Sequence, residues 1–183
     1  MGYDDVYAKW QLNPETFWME AAEGIDWFKK PSRALFEDEN TSSWFKDSSV
    51  NCCWNAVDRH VEAGNGDLTA ILYDSPVTLT KRAISYSELQ KKVALLAGGL
   101  RNKGIIAGDR VIIYMPMIPE AIEAMLACAR LGAIHSIVFG GFAAAELATR
   151  IDDARPKMIL AASCGLEPGR VIAYKPLIDA AVE

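Results

Sequence analysis

No run of eighteen apolar residues occurs in the sequence, so a membrane-spanning helix is not expected. The opening MGYDDVYAKW has neither a basic stretch nor an apolar one behind it, so it does not read as a secretory leader. Val6 stands where a myristoylation signal needs Ser or Thr. A cytoplasmic location is the resulting expectation. Positive charge is also scarce, with 19 Lys and Arg against 24 Asp and Glu and a net charge of -5. That balance argues against general nucleic-acid binding. There are two histidines and four cysteines. Cys52 and Cys53 are adjacent, no C-x-x-C pair occurs and no His cluster accompanies them. Reduced, buried thiols are expected rather than a metal site. Missing too are G-x-G-x-x-G, the Walker sequence, a calcium loop, a heptad array and any Ser with a partnered His and acid.

The 183 residues are 51% hydrophobic and 23% charged. They suffice for one good core, or a core with a smaller lobe. Residues 1–48 form an aromatic-rich arm with Trp10, Phe17, Trp18, Trp27, Phe28, Trp44 and Phe45. Asn13 as N-cap and Pro14 at the first helical position start a helix in NPETFWMEAAE. The other aromatics read as anchors that pin the arm on a larger body.

Regularity begins near Asn51. CCWNAVDRHVEAG reads as a helix ended by Gly64-Asn65-Gly66, with His60 suited to the helix C-terminus. Thr69–Tyr73 and Arg82–Tyr86 pair as a hairpin across about eight residues. Ser87 to Gln90 reads as the capping box of a helix whose inner face is Leu89, Val93, Leu96, Ala97 and Leu100. Asp109–Met115 is a strand. Pro119 opens a helix that is apolar nearly all round and hence of the core, and Gly132 ends it. Ile134, Ile137, Val138 and Phe139 make a second, buried strand. Ala143–Asp153 is a helix, Lys157–Ser163 a third strand and CGLEPGR a loop. Another helix starts at Pro176.

Alternating helices and strands predict an α/β fold with a parallel, helix-covered sheet. Right-handed crossovers place FGGF (139–142) and CGLEPGR (164–170) on one rim, where such sheets gather ligands. Gly140 and Gly141 let backbone approach a phosphate. Gly169 and Arg170 can hold one through the guanidinium fork, although Glu167 opposes an anion. A last helix with no stop signal and only three parallel strands predict that the fold continues past Glu183.

Several stretches in order resemble the AMP-forming, short-chain acyl-CoA synthetases. They are WFKDSSVNCCWNAVDRH (44–60), GDLTAIL (66–72), ISYSELQKKVALLAGGL (84–100), GDRVIIYMPMIPEAIEAMLACARLGAIHSIVFGGF (108–142) and CGLEPGR (164–170). The last is similar to the propionyl-CoA synthetase form, with the acetyl-CoA synthetases next. The resemblance implies an acetyl-CoA-synthetase-type arm over 1–48 and the first part of an adenylate-forming, AMP-binding large domain over 49–183. It implies acyl-adenylate formation from a short carboxylate (propionate or acetate) and Mg²⁺-ATP, then attack by the CoA thiol. It implies CoA contacts at Phe139, Gly140 and Gly141, with Phe139 on the adenine and a glycine N–H on the nucleotide. It also implies that Glu167, Pro168, Gly169 and Arg170 approach the 3′-phosphate of CoA. Where acetyl-CoA synthetases carry two arginines in that segment, this chain keeps only Arg170. The family's phosphate loop with its Lys, its ATP-binding motifs, acyl pocket and catalytic Lys have no match here. An N-terminal portion without ligase activity of its own is expected. A stand-alone CoA- or nucleotide-binding module and a non-catalytic assembly domain are the alternatives.

Overall fold

The computed structural model describes residues 2–183. Chain contacts divide them into two units, one up to Asn51 and one over Cys52–Glu183.

The first unit begins with two short helices, α1 (Tyr3–Leu12) and α2 (Pro14–Ala22). Asn13 caps α2 as expected, its side-chain oxygen accepting from the Thr16 amide at 3.0 Å. Helix α1 was not legible, because it buries no side chain and carries no apolar stripe. Four two- or three-residue strands follow: β1 (Trp27–Lys29), β2 (Leu35–Glu37), β3 (Ser42–Trp44) and β4 (Ser49–Val50). They pair as β1–β4 and β2–β3. Aromatic rings meet within the unit. Trp18 lies edge-on to Trp44 at 5.4 Å, and Trp27 packs on Phe45 at 5.5 Å.

The second unit opens on a helical segment that is π-wound over Trp54–Asp58 and Val61–Asn65, not regularly α as the sequence suggests. Gly64 takes the left-handed conformation that ends it (φ 83°). His60 packs on Tyr86, ring centres 4.8 Å apart. Strands β5 (Thr69–Ser75) and β6 (Thr80–Ser85) form a hairpin. Its connection is four residues, half the expected length, because cross-strand pairing runs on to Ser75 and Thr80. Helix α3 (Tyr86–Asn102) is capped by Ser85, not Ser87: the Ser85 hydroxyl accepts from the Glu88 amide at 3.2 Å. Its expected inner face holds, with Leu89, Val93, Ala97 and Leu100 buried.

From there the chain alternates β7 (Arg110–Met115), α4 (Pro119–Leu131), β8 (Ile134–Phe139), α5 (Ala144–Ala154) and β9 (Met158–Ala161). The three strands form a parallel sheet in the order β8-β7-β9. This is the α/β arrangement the alternation predicts. Central β7 is buried on both faces from Val111 to Tyr114, which is why it reads as an unbroken apolar run. Val111 joins the core beneath α3 and α4. Ile112 and Tyr114 join Val138 and Leu147 in a second core on the opposite face.

Two expectations for this region need correction. Strand β8 is an edge strand: only Val138 is fully buried, while Ile134, Ile137 and Phe139 are exposed. It has a neighbour on one side only, so half its apolar surface finds no cover. Helix α4 is likewise not a fully enclosed core helix. Ala124, Ala127 and Cys128 are buried, but Ala121, Ile122 and Met125 line an open groove. Gly132 ends α4 at φ 72°, and the Ala133 amide closes back on the Cys128 carbonyl at 2.9 Å.

CGLEPGR is not a loop either. Cys164–Glu167 (β10) and Arg170–Ala173 (β11) pair antiparallel, from Cys164↔Ala173 to Glu167↔Arg170. The turn is Pro168-Gly169, with Gly169 at φ 78°. Proline first and a left-handed glycine second is the chemistry of a type II turn. Helix α6 (Tyr174–Val182) follows directly.

All four cysteines are free thiols. Cys53 and Cys128 are buried, as expected, while Cys52 is exposed and Cys164 half-buried. No helix among the described residues is long and apolar enough to cross a membrane.

Candidate functional site

Strands β7, β8 and β9 run parallel, with Met115 opposite Phe139 and Tyr114 opposite Ala161. Their carboxyl ends therefore share one rim, and FGGF and the β10–β11 hairpin both leave from it. A cavity of about 500 Å³ lies there, lined by Met117, Phe139, Ser163, Cys164 and Leu166 and by the β5–β6 turn. A larger apolar groove of about 800 Å³ runs from Phe139 past Ile122 and Met125 to Leu72. Phe139 faces both hollows and is half exposed, a placement that suits a ring offered to a flat ligand.

The glycines are placed differently from what two adjacent glycines alone suggest. The Gly140 amide donates to the Met115 carbonyl at 3.1 Å. The Gly141 amide donates to the Tyr114 hydroxyl at 3.1 Å, and that hydroxyl donates to the Phe142 carbonyl at 2.9 Å. Both glycine donors are thus engaged inside the chain. Gly140 is buried because the ring of Tyr174 lies on it. A Cβ at Gly140 would come within 2.5 Å of the Tyr174 hydroxyl oxygen, and a Cβ at Gly165 within 2.2 Å. Gly141 takes φ 106°, a conformation that favours glycine.

At the hairpin tip, Pro168 and Gly169 make the turn, and Glu167 and Arg170 face each other across it. Arg170 donates through Nε to Glu167 Oε2 at 2.7 Å, and its Nη2 lies 2.6 Å from the same oxygen. Both side chains are largely exposed. An exposed ion pair holds its partners weakly, worth about 0–1 kcal/mol. Arg170 is therefore occupied by its own neighbour and releasable to a stronger anion.

Three groups escaped the sequence reading. Tyr114 and Tyr174 pack ring against ring, tilted by 54° with centres 4.9 Å apart, beneath the rim. Burial pushes the Tyr174 phenol above its ordinary range. Their only signal was two small residues, Gly140 and Gly165, in separate elements. The third is Asp58, whose carboxylate accepts from Arg130 at 2.6 Å through each oxygen and from the Gln90 amide at 3.0 Å. That network ties the π-wound segment to α3 and α4.

The family model described as "AMP-binding enzyme" matches residues 57–180, and the one described as "Acetyl-coenzyme A synthetase N-terminus" matches residues 3–56. The chain belongs to the AMP-binding enzyme family. Among curated relatives it is 52% identical over 181 residues to acyl-CoA synthetase short-chain family member 3, mitochondrial, of Bos taurus, covering 98% of this chain and 26% of that protein. The Homo sapiens protein of the same name is 50% identical over 182 residues, covering 99% and 26%. Acetyl-coenzyme A synthetase of Streptomyces coelicolor is 48% identical over 180 residues, covering 98% and 28%. The chain thus spans about a quarter of the length of these relatives. The parallel sheet and its covering helices are the portion of the AMP-binding fold that the family match occupies.

Proposed function

We propose that this chain builds the CoA-facing rim of a short-chain acyl-CoA synthetase, with propionate preferred over acetate. The observation that carries the reading is the two family matches laid end to end over residues 3–180. In that reading residues 1–48 are the arm and 49–183 the first part of the large domain. The whole protein joins acid to CoA in two steps. The carboxylate attacks the α-phosphorus of ATP and expels pyrophosphate. The CoA thiol then attacks the acyl carbon, and AMP leaves with the bonding electrons. Adenylation is needed because a free carboxylate is a poor electrophile.

Phe139 offers its ring to the adenine of CoA. Because the amides of Gly140 and Gly141 are spent on Met115 and Tyr114, those glycines shape the loop and let the ligand lie close. Arg170 takes the 3′-phosphate by exchanging Glu167 for it, with Pro168 and Gly169 fixing the turn. Mg²⁺ accompanies ATP in this chemistry. Among the described residues no group of three or more His, Cys, Asp or Glu converges to hold a metal ion. The preference for propionate rests on the CGLEPGR form alone.

The test is an exchange of parts. The bovine relative with its matching segment replaced by this chain should convert propionate, ATP and CoA to propionyl-CoA. The 183-residue chain alone should release no pyrophosphate from ATP. Turnover by the isolated chain, or a folded but inactive exchange protein, contradicts the reading.

A further inference from the structure

The FGGF loop and the β10–β11 hairpin are separate in sequence and make no strand pairing with each other. One ring touches both. Tyr174 is 1% exposed and sits where β11 passes into α6. An added Cβ at Gly140 would lie 2.7 Å from its Cε2 and Cζ, and one at Gly165 2.9 Å from its Cζ. The ring fits because both residues lack a side chain. Its other neighbour is Tyr114, whose hydroxyl fixes Gly141 and Phe142.

We propose that Tyr174 is a positioning residue that couples the Phe139–Phe142 loop to the Cys164–Ala173 hairpin, so that the Phe139 ring and the Arg170 guanidinium are held at one separation. The claim that these two groups face one ligand rests on the CoA reading; the coupling does not. A ring wedged between two backbones transmits displacement, since packed interiors do not deform continuously. If the hairpin opens, the ring leaves Gly140, and the loop loses the floor it rests on.

Amide hydrogen exchange on the full chain tests the coupling. In Tyr174→Ala, the amides of Gly140 and Gly141 and those of the hairpin should all exchange at least about tenfold faster, while β7 amides keep their rates. Tyr174→Phe retains the ring and should retain the parent rates. Gly165→Ala, which crowds the ring from the hairpin side, should speed exchange at Gly141 as well. The coupling is overturned if only one segment responds, or if β7 loosens equally, which marks general unfolding.

Calorimetric titration of the same proteins with CoA and 3′-dephospho-CoA reads the consequence. The parent and Tyr174→Phe should prefer CoA, and in Tyr174→Ala the ratio should fall toward one. A merely destabilising change would weaken both ligands alike. If the parent binds neither, the CoA reading fails while the exchange rates still decide the coupling.

Discussion

At the scale of single residues, the rim is governed by which groups are already occupied. Arg170 donates to Glu167 before any ligand arrives. Glu167→Gln removes the competing charge and should raise affinity for CoA about 2–5-fold, the equivalent of up to about 1 kcal/mol. It should leave 3′-dephospho-CoA unchanged, as titration calorimetry would read. An equal change for both ligands would place Arg170 away from the 3′-phosphate.

Asp109, at the opposite end of β7 from the rim, is also an occupied group. Its carboxylate accepts from Lys157 Nζ at 2.8 Å and from the Ile106 amide at 2.8 Å. The Lys157 bond first, then the Ile106 amide, hold its pKa below the ordinary 3.8. A carboxylate lowered in the folded state contributes stability that is full above pH 3.8 and is lost as pH falls through the lowered value. Asp109→Asn should therefore be less stable than the parent near neutrality, and the gap should close below pH 3.8. Urea unfolding at stepped pH checks this; a gap that stays constant would assign the loss to packing.

At the scale of elements, glycines of opposite value share one chain. Gly98 lies inside α3, is exposed, and an added Cβ would meet nothing within 4 Å. Gly98→Ala should stabilise the protein by about 0.5–1 kcal/mol, because a mid-helix glycine gives up more freedom on folding than alanine does. Gly140→Ala drives a methyl into the Tyr174 ring and should cost about 1–3 kcal/mol. Denaturant midpoints measured side by side would show opposite signs. A neutral Gly140→Ala would mean the ring has room to move, and would also weaken the coupling argued for Tyr174.

The elements also show what the sequence makes legible. Strands β7 to β9 and helices α3 to α5 follow from their periods and from Gly132 and Pro119 at the helix ends, because those signals are local. The exposure of β8 does not follow: IHSIVF has the composition of a buried strand, and only pairing decides whether its second side is covered. The β10–β11 hairpin hid because four-residue strands carry little pattern, although Pro168-Gly169 was the turn signal. Ser85 and Ser87 both stand three residues before a Glu or Gln, and only the hairpin register chooses between them as the cap. Tyr174 was beyond reach, since its partners are defined by missing side chains in two other elements.

At the scale of the whole molecule, the unit over Cys52–Glu183 holds a parallel sheet with β7 paired on both sides and the FGGF and Pro168-Gly169 turns beyond its carboxyl ends. The chain's relatives are about four times as long. The account assigns to this portion the handling of CoA, and to the remainder of such a protein the activation of the acid. One measurement separates those two duties. In the bovine relative carrying this chain as its matching segment, pyrophosphate release from propionate and ATP is followed alongside thioester formation, with and without Arg170→Ala. The account predicts an unchanged adenylation rate and a KM for CoA raised about tenfold. A substitution that slows pyrophosphate release, or leaves the KM for CoA untouched, would contradict it.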